Sequence, residues 1–343
     1  MAPGPRRSRN DRLDEDDVRV RPGRGSRPRT RTRPSHEDAV DGFVVAVDRG
    51  RYTCRAGDVE VIAVRGGDVR RSPVVVGDWV SLVGDVSGRP DTLARVVRVA
   101  ERTSLLRRTP DDTDPIERPV VANAELLVVV VALADPEPRA RLIDRCLVAA
   151  YDGGLSPLLC LTKTDLASAA PLAERYAPLG VPVIESGRED GGAGVAALAE
   201  HLDGRVSVAF GHSGVGKSTL VNQLVPGADR VVGSVNVVTG RGRHTSSSAV
   251  ALELPGGGWV IDTPGIRSFG LGAVSPARVL ASFPDLAAAA EHCPRDCSHA
   301  EDAPDCALDE AVRGELEGVP QLSAERVDSC RRLLGARVGG DEG

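Results

Sequence analysis

The chain has 343 residues, 41% hydrophobic and 3% aromatic, with a formal net charge of −6. That length suits two or three domains with real cores, and the negative balance excludes a protein that coats nucleic acid over its whole surface. No apolar run reaches membrane-spanning length, the longest being Leu126 to Leu133, and the first residues lack an apolar signal region. The seven cysteines are therefore expected to stay reduced in a cytoplasmic setting, where clustered ones point to metal and not to disulfides.

Residues 1–36 are rich in Arg, Pro and Gly, with an acidic knot at Asp14-Glu15-Asp16-Asp17. This composition cannot bury apolar surface and reads as a disordered tail. Two readings stay open for it, a basic arm touching RNA and a solvated tail without a specific role. From residue 37 to 106 the texture turns to short β-rich segments: Phe43-Val44-Val45-Ala46-Val47, Val59 to Val64, Val74 to Val76, Trp79 to Val83 and Ala94 to Val99. Their number and the Gly, Asp and Arg turns between them predict a small closed barrel of the OB-fold type. Phe43, Tyr52 and Trp79 are its only aromatics, a thin stacking platform. If this barrel binds RNA, Arg65, Arg70, Arg71, Arg95 and Arg98 on phosphates suit it better than base readout. A protein-docking or purely structural barrel is the alternative.

A polar linker is expected over 107–118, and an α/β domain over 119–272. Leu126 to Val131 reads as a buried strand. Arg139 to Tyr151 reads as a helix stopped by Gly153-Gly154, and Leu158 to Leu161 as the next strand. Cys146 and Cys160 sit among apolar neighbours and read as buried, unreactive thiols. At the end of the second strand stands Thr162-Lys163-Thr164-Asp165, which resembles the N-K-x-D guanine motif of GTPases. An aspartate carboxylate accepts both the ring N–H and the exocyclic amine of guanine, an edge adenine does not offer, and the Lys163 stem can lie along the base. Thr162 replaces the usual Asn and so removes an amide that braces neighbouring loops. Val181 to Ile184 is a further strand, and Ser186 after it is similar to the last guanine-contacting loop of GTPases. Gly194 to Leu202 reads as a helix.

The organising stretch follows. Gly211-His212-Ser213-Gly214-Val215-Gly216-Lys217-Ser218, with Thr219 behind it, is a G-x-x-x-x-G-K-S phosphate loop between an apolar strand, Val206 to Phe210, and a helix with Leu220, Val221 and Leu224 on one face. Its glycines let backbone N–H groups converge on phosphate oxygens. The helix N-terminus adds partial positive charge. Lys217 reaches the β- and γ-phosphates, and the Ser218 hydroxyl can ligate Mg²⁺. Val231 to Ser248 is polar, Gly-rich and long enough for a nucleotide-sensing switch, with Thr245 the candidate to meet Mg²⁺ and the γ-phosphate. Ala249 to Leu254 and Trp259 to Ile261 read as paired strands. The second ends in Asp262-Thr263-Pro264-Gly265, which resembles D-x-x-G: Asp262 in the Mg²⁺ shell, the Gly265 N–H on the γ-phosphate. Ordinary GTPases place the phosphate loop before the guanine loops. Here the guanine loops come first, the mark of a circular permutation, permissible because domain termini often lie close together.

Residues 273–335 read as a helical domain around Cys293-x3-Cys297-x-His299-x6-Cys306, a donor set matching one structural Cys₃His zinc ion per chain. His292 is a second candidate for the first ligand. Ala307 to Leu316 and Ser323 to Leu334 read as helices, and 336–343 as a frayed end.

An OB-like barrel, a permuted P-loop GTPase and a Cys₃His helical domain together resemble the ribosome small-subunit-dependent GTPase A family. Glu101-Arg102-Thr103-Ser104 and Gly242-Arg243-His244-Thr245 add to the likeness. The cysteine spacing departs from the family pattern. The resemblance implies GTP hydrolysis to GDP during late maturation of the small ribosomal subunit. Its implied partners are that subunit and its rRNA, and we expect neither DNA nor membrane contact and a monomeric chain. Where many GTPases carry a water-orienting Gln after D-x-x-G, this chain has the apolar Ile266. His244 is the candidate to take that catalytic place beside Lys217; contact with rRNA or solvent is its alternative role. A GTP-gated binding switch with negligible hydrolysis is the competing function.

Overall fold

The computed structural model describes residues 36–69, 73–108, 118–228, 249–263, 269, 271 and 274–336. The chain divides into Met1–Glu37 and Asp38–Gly343, and the account concerns the second unit. Residues 1–35 and 337–343 lie outside the description, and with them nearly all of the two predicted tails.

Short β-rich segments separated by turns set the barrel. Strands β1 (Val40–Asp48), β2 (Arg51–Ala56), β3 (Val59–Arg65), β4 (Trp79–Gly84) and β5 (Ala94–Val99) run β1-β2-β3-β5-β4, and β4 pairs back with β1 to close the ring. Only the β3–β5 pairing within it is parallel. Val44, Tyr52, Cys54, Val61, Ala63, Val80, Leu82 and Val96 fill the interior. The pairing of β1 with β2 shifts between Val44 and Ala46. Such a bulge bends the strand, and beyond it Ala46 pairs with Val250 of the neighbouring sheet. The Val74 to Val76 stretch forms no strand. It makes one bridge, Val76 to Val121, and enters a turn held by Asp78, whose carboxylate accepts the Val75 N–H at 2.8 Å.

The ends of the stretch read as a linker are paired. β6 (Leu105–Arg108) and β7 (Arg118–Ala122) form an antiparallel ribbon. A joint ties this ribbon to the barrel. Arg102 donates two hydrogen bonds, 2.7 and 2.8 Å, to the fully buried carboxylate of Asp78. Asn123 donates to the Gly77 carbonyl at 2.9 Å and accepts the Thr103 N–H at 2.9 Å. Gly77 needs to be glycine: its φ is +89°, and a Cβ there would lie 2.0 Å from the Ala122 carbonyl oxygen.

The α/β layer follows from uninterrupted apolar runs. β8 (Leu126–Ala132) is buried at every residue, as expected of a parallel strand covered on both faces. With β9 (Ser156–Thr162), β10 (Val183–Ser186), β11 (Val206–Phe210), β12 (Val250–Glu253) and β13 (Trp259–Asp262) it makes the order β10-β9-β8-β11-β13-β12, with only β12 antiparallel. Helix α1 (Ala140–Gly153) ends at Gly154 in the left-handed conformation. Helices α2 (Ala170–Tyr176), α3 (Ala193–Leu202) and α4 (Lys217–Leu224) complete this layer. Leu198, Leu202, Leu220 and Leu224 cover one face of the sheet. The other face shares its core, through Ile143 and Leu147 of α1, with the C-terminal helices α5 (Pro276–Ala281), α6 (Pro284–Ala290), α7 (Ala307–Arg313) and α8 (Ala324–Ala336). No described helix is long and apolar enough to cross a membrane. Burial pushes the Cys160 and Cys330 thiols up to about 12 and raises Cys146 further, so these thiols stay protonated and inert.

Candidate active site and metal centre

Parallel pairing carries the functional loops to one edge. Thr162 stands in register with Ser186 and with Ala132, Phe210 with Val129, and Ala209 with Asp262. The carboxyl ends of β8, β9, β10, β11 and β13 therefore open onto the same crevice, the side where open α/β sheets take ligands.

The phosphate loop turns out of β11 at Gly211, where a Cβ would lie 2.7 Å from the Val130 carbonyl oxygen, so only glycine fits. Gly214 and Gly216 both have positive φ, and α4 begins directly after Gly216. His212, Ser213, Ser218 and Thr219 are exposed, while Val215 is buried as the loop's anchor. The Lys217 ammonium is bonded to the Asp262 carboxylate. Thr263, next to Asp262, donates its hydroxyl to the Ala209 carbonyl at 2.9 Å and pins the end of β13 to β11.

The guanine-type loop lies against the phosphate loop. The Thr162 hydroxyl donates to the Val215 carbonyl at 2.6 Å, and Gly216 packs beside the same side chain. Thr162 thus supplies by hydroxyl the brace that the missing amide withdrew. Lys163 has φ +60° and its ammonium donates to the Asp135 carbonyl. Asp165 accepts the Arg188 N–H at 3.3 Å, so the loop after Ser186 folds against it. Asp190, which the sequence reading missed, shapes that loop. It accepts N–H groups from Gly187, Gly192 and Gly194, and these bonds hold its carboxyl below the usual range. The Asp-Gly-Gly that follows Glu189 was the available signal.

A cavity of about 190 Å³ opens on the α1 side of the phosphate loop, lined by Val130, Pro136, Arg139, Ile143, Phe210 and Ser213 among others. Thr162, Lys163, Asp165 and Ser186 do not line it, so this cavity is not where the base-reading side chains converge. His244, Thr245 and Gly265 lie outside the described residues.

In the C-terminal part, Cys293, Cys297, His299 and Cys306 bring their ligand atoms within 4.8 Å of one another. Cys293 Sγ lies 3.6 Å from His299 Nδ1 and 4.0 Å from Cys306 Sγ, and Cys306 Sγ lies 3.9 Å from His299 Nδ1. A tetrahedral zinc shell with bonds of about 2.0–2.3 Å has edges of about 3.5–3.8 Å, so the donors fit that ion. Burial lowers the His299 pKa, which favours the neutral, ligating imidazole. The Ala307 N–H donates to Cys293 Sγ at 3.3 Å, and Arg331 donates to the His299 carbonyl at 3.1 Å. The cluster is thereby fastened to α7 and α8. Cys293, and not His292, completes the described cluster.

The sequence profile of the RsgA GTPase family matches residues 99–272. A protein of Ectopseudomonas mendocina named small ribosomal subunit biogenesis GTPase RsgA is 41% identical over 289 residues, covering 80% of this chain and 81% of its own length. A protein of the same name from Azotobacter vinelandii is 44% identical over 247 residues, 70% and 68% of the two chains. The crystal structure of YjeQ from Thermotoga maritima superposes with a TM-score of 0.63 at 26% identity, covering 88% of this chain and 99% of that one. That of YloQ, described as a circularly permuted GTPase, gives 0.61 at 22% identity, covering 88% and 96%, a likeness of fold. With guanine-type loops upstream, a phosphate loop downstream and both at one sheet edge, this chain belongs to the RsgA GTPase family, enzymes that hydrolyse GTP.

Proposed function

We propose that this protein hydrolyses GTP in the maturation of the small ribosomal subunit, binding that subunit and its rRNA in one nucleotide state and leaving it in the other. The relatives' shared name supports the partner. The observation that carries the nucleotide reading is the Thr162 to Val215 hydrogen bond, which fastens a base-reading loop to a phosphate-reading loop.

In this reading Asp165 accepts the two donors of the guanine edge, Lys163 lies along the base, and the Ser186 loop closes over it. Backbone N–H groups of 211–219 hold the phosphates. Lys217 leaves Asp262 for the β- and γ-phosphate oxygens, and the freed Asp262 carboxylate, the exposed Ser218 hydroxyl and Thr245 form an oxygen donor set suited to Mg²⁺. Mg²⁺ held there would supply positive charge against the charge developing on the β- and γ-phosphates. Water attacks the γ-phosphorus and the bond to the β-γ bridging oxygen breaks, leaving GDP and phosphate. Ile266 cannot orient that water; His244 does so on the ribosome, while Gly265 donates its N–H to the γ-phosphate. The zinc shell has four protein donors and no open position, so it holds the fold and performs no chemistry. The domain limits are 37–106 for the barrel, 119–272 for the permuted GTPase and 273–335 for the zinc-binding part.

Multiple-turnover phosphate release, with and without purified small subunits, tests this. The parent protein is expected to speed up with subunits, and His244→Ala to lose that gain at unchanged GDP affinity. Subunit-independent, negligible turnover of the parent contradicts the enzyme reading, and a fully stimulated His244→Ala removes the histidine's role.

A further inference from the structure

Closing the barrel sorts its outward side chains by register. Asp41 pairs with Ser81 and Phe43 with Trp79 across β1 and β4. Ser81 pairs with Arg98 and Val83 with Arg95 across β4 and β5. Val80, Leu82 and Val96 point inward. Trp79, Arg98 and Arg95 therefore share the outer face of the β4–β5 pair, in that order along it, and both arginines stay outward because the register shifts between Ser81 and Leu82. Trp79 is 47% exposed, although its ring lies 5.1 Å from that of Phe43, which in turn lies 5.0 Å from that of Trp259. The ring is thus held at its back and open at its front. Arg95 and Arg98 are exposed, and among the described residues neither has an ion pair or side-chain hydrogen bond. Asp41, accepting the Ser81 hydroxyl at 3.5 Å, is the one carboxylate in these cross-strand pairs.

We propose that this β4–β5 face binds a single-stranded RNA segment, one base stacked on Trp79 and the following phosphates on Arg98 and Arg95. A fixed aromatic ring followed by unpaired guanidiniums fits an unstacked base with its backbone. A protein partner of matching size would be expected to meet a broader apolar centre than one indole. The proposal deepens the small-subunit reading and rests on it only for the source of the RNA. OB folds generally use the face of strands 2 and 3 and the loops beside it, so this face is a different one.

The test is fluorescence anisotropy of the full chain with a short labelled single-stranded RNA of mixed sequence, at several salt concentrations. Trp79→Ala is expected to weaken binding about 5- to 150-fold, and Trp79→Phe to keep most of it. Changing both arginines, Arg95→Gln with Arg98→Gln, is expected to reduce the salt slope by about 1.4. Both arginines are exposed and make no ion pair among the described residues, so that variant is expected to fold, and parent-level basal GTP turnover reports the fold of each. Unchanged affinity in Trp79→Ala, or duplex RNA competing as well as the single strand, overturns the proposal. So does a variant that loses small-subunit binding yet holds the oligonucleotide like the parent, since the face would then dock a protein. Oligonucleotide binding by a parent protein whose turnover small subunits do not stimulate supports the face while contradicting the ribosomal reading.

Discussion

At the residue scale, the hydroxyl of Thr162 does what a longer amide does elsewhere, because it stands directly under the Val215 carbonyl. Thr162→Val keeps the side-chain shape and leaves that buried carbonyl without a donor, at about 1–3 kcal/mol. GDP affinity, read by titration with a fluorescent analogue, is expected to fall about tenfold; an unchanged affinity contradicts the bracing role. The motif itself was legible, since Thr162-Lys163-Thr164-Asp165 follows an apolar strand. The partner was not, because a hydrogen bond to a distant backbone carbonyl leaves no mark on either local sequence. Asp190 escaped notice for a related reason: one carboxylate collecting three backbone N–H groups looks from sequence like an ordinary loop acid.

At the element scale, two staples set the stability of the smaller parts. Asp78 is fully buried and Arg102 is the cation described beside it, so Arg102→Ala leaves a buried carboxylate uncompensated. A loss of about 3–5 kcal/mol is expected in urea unfolding, and parent-like stability contradicts this account of the joint. The Cys293, Cys297, His299 and Cys306 cluster, whose donors fit a zinc ion, is the second staple. Metal analysis is expected to give one zinc per chain, and its removal by chelation to lower the melting temperature and the helical signal of α7 and α8. A chain as stable without metal as with it contradicts the site. The barrel strands were legible as short β-rich segments between Gly, Asp and Arg turns. The β6–β7 ribbon was not, since its polar ends read as linker, and the Val74 to Val76 stretch was overread, because apolar content does not reveal that Asp78 turns the chain there. Cys293, Cys297, His299 and Cys306 were legible as a set because zinc donors are few in kind.

At the scale of the whole molecule, permutation sends the chain from Asp262 towards the C-terminal helices, and these pack back on the GTPase layer. Asp144 of α1, almost wholly buried, meets the Tyr176 hydroxyl at 3.0 Å and Arg332 of α8 at 3.3 Å. Arg326 of α8 pairs with Asp285 and donates to the Pro178 carbonyl at 2.7 Å. The order of motifs made the permutation readable, whereas this docking, built from single charged residues on separate helices, could be seen only in three dimensions.

The central claim is that base-reading groups from upstream and phosphate-reading groups from downstream serve one guanine nucleotide. The most direct measurement is the nucleotide preference of Asp165→Asn, with GTP and XTP compared in binding and turnover. Xanthine offers a carbonyl where guanine offers its amine, so the carboxamide is expected to favour XTP and lose GTP. A variant that still prefers GTP as the parent does contradicts the assembly of the site.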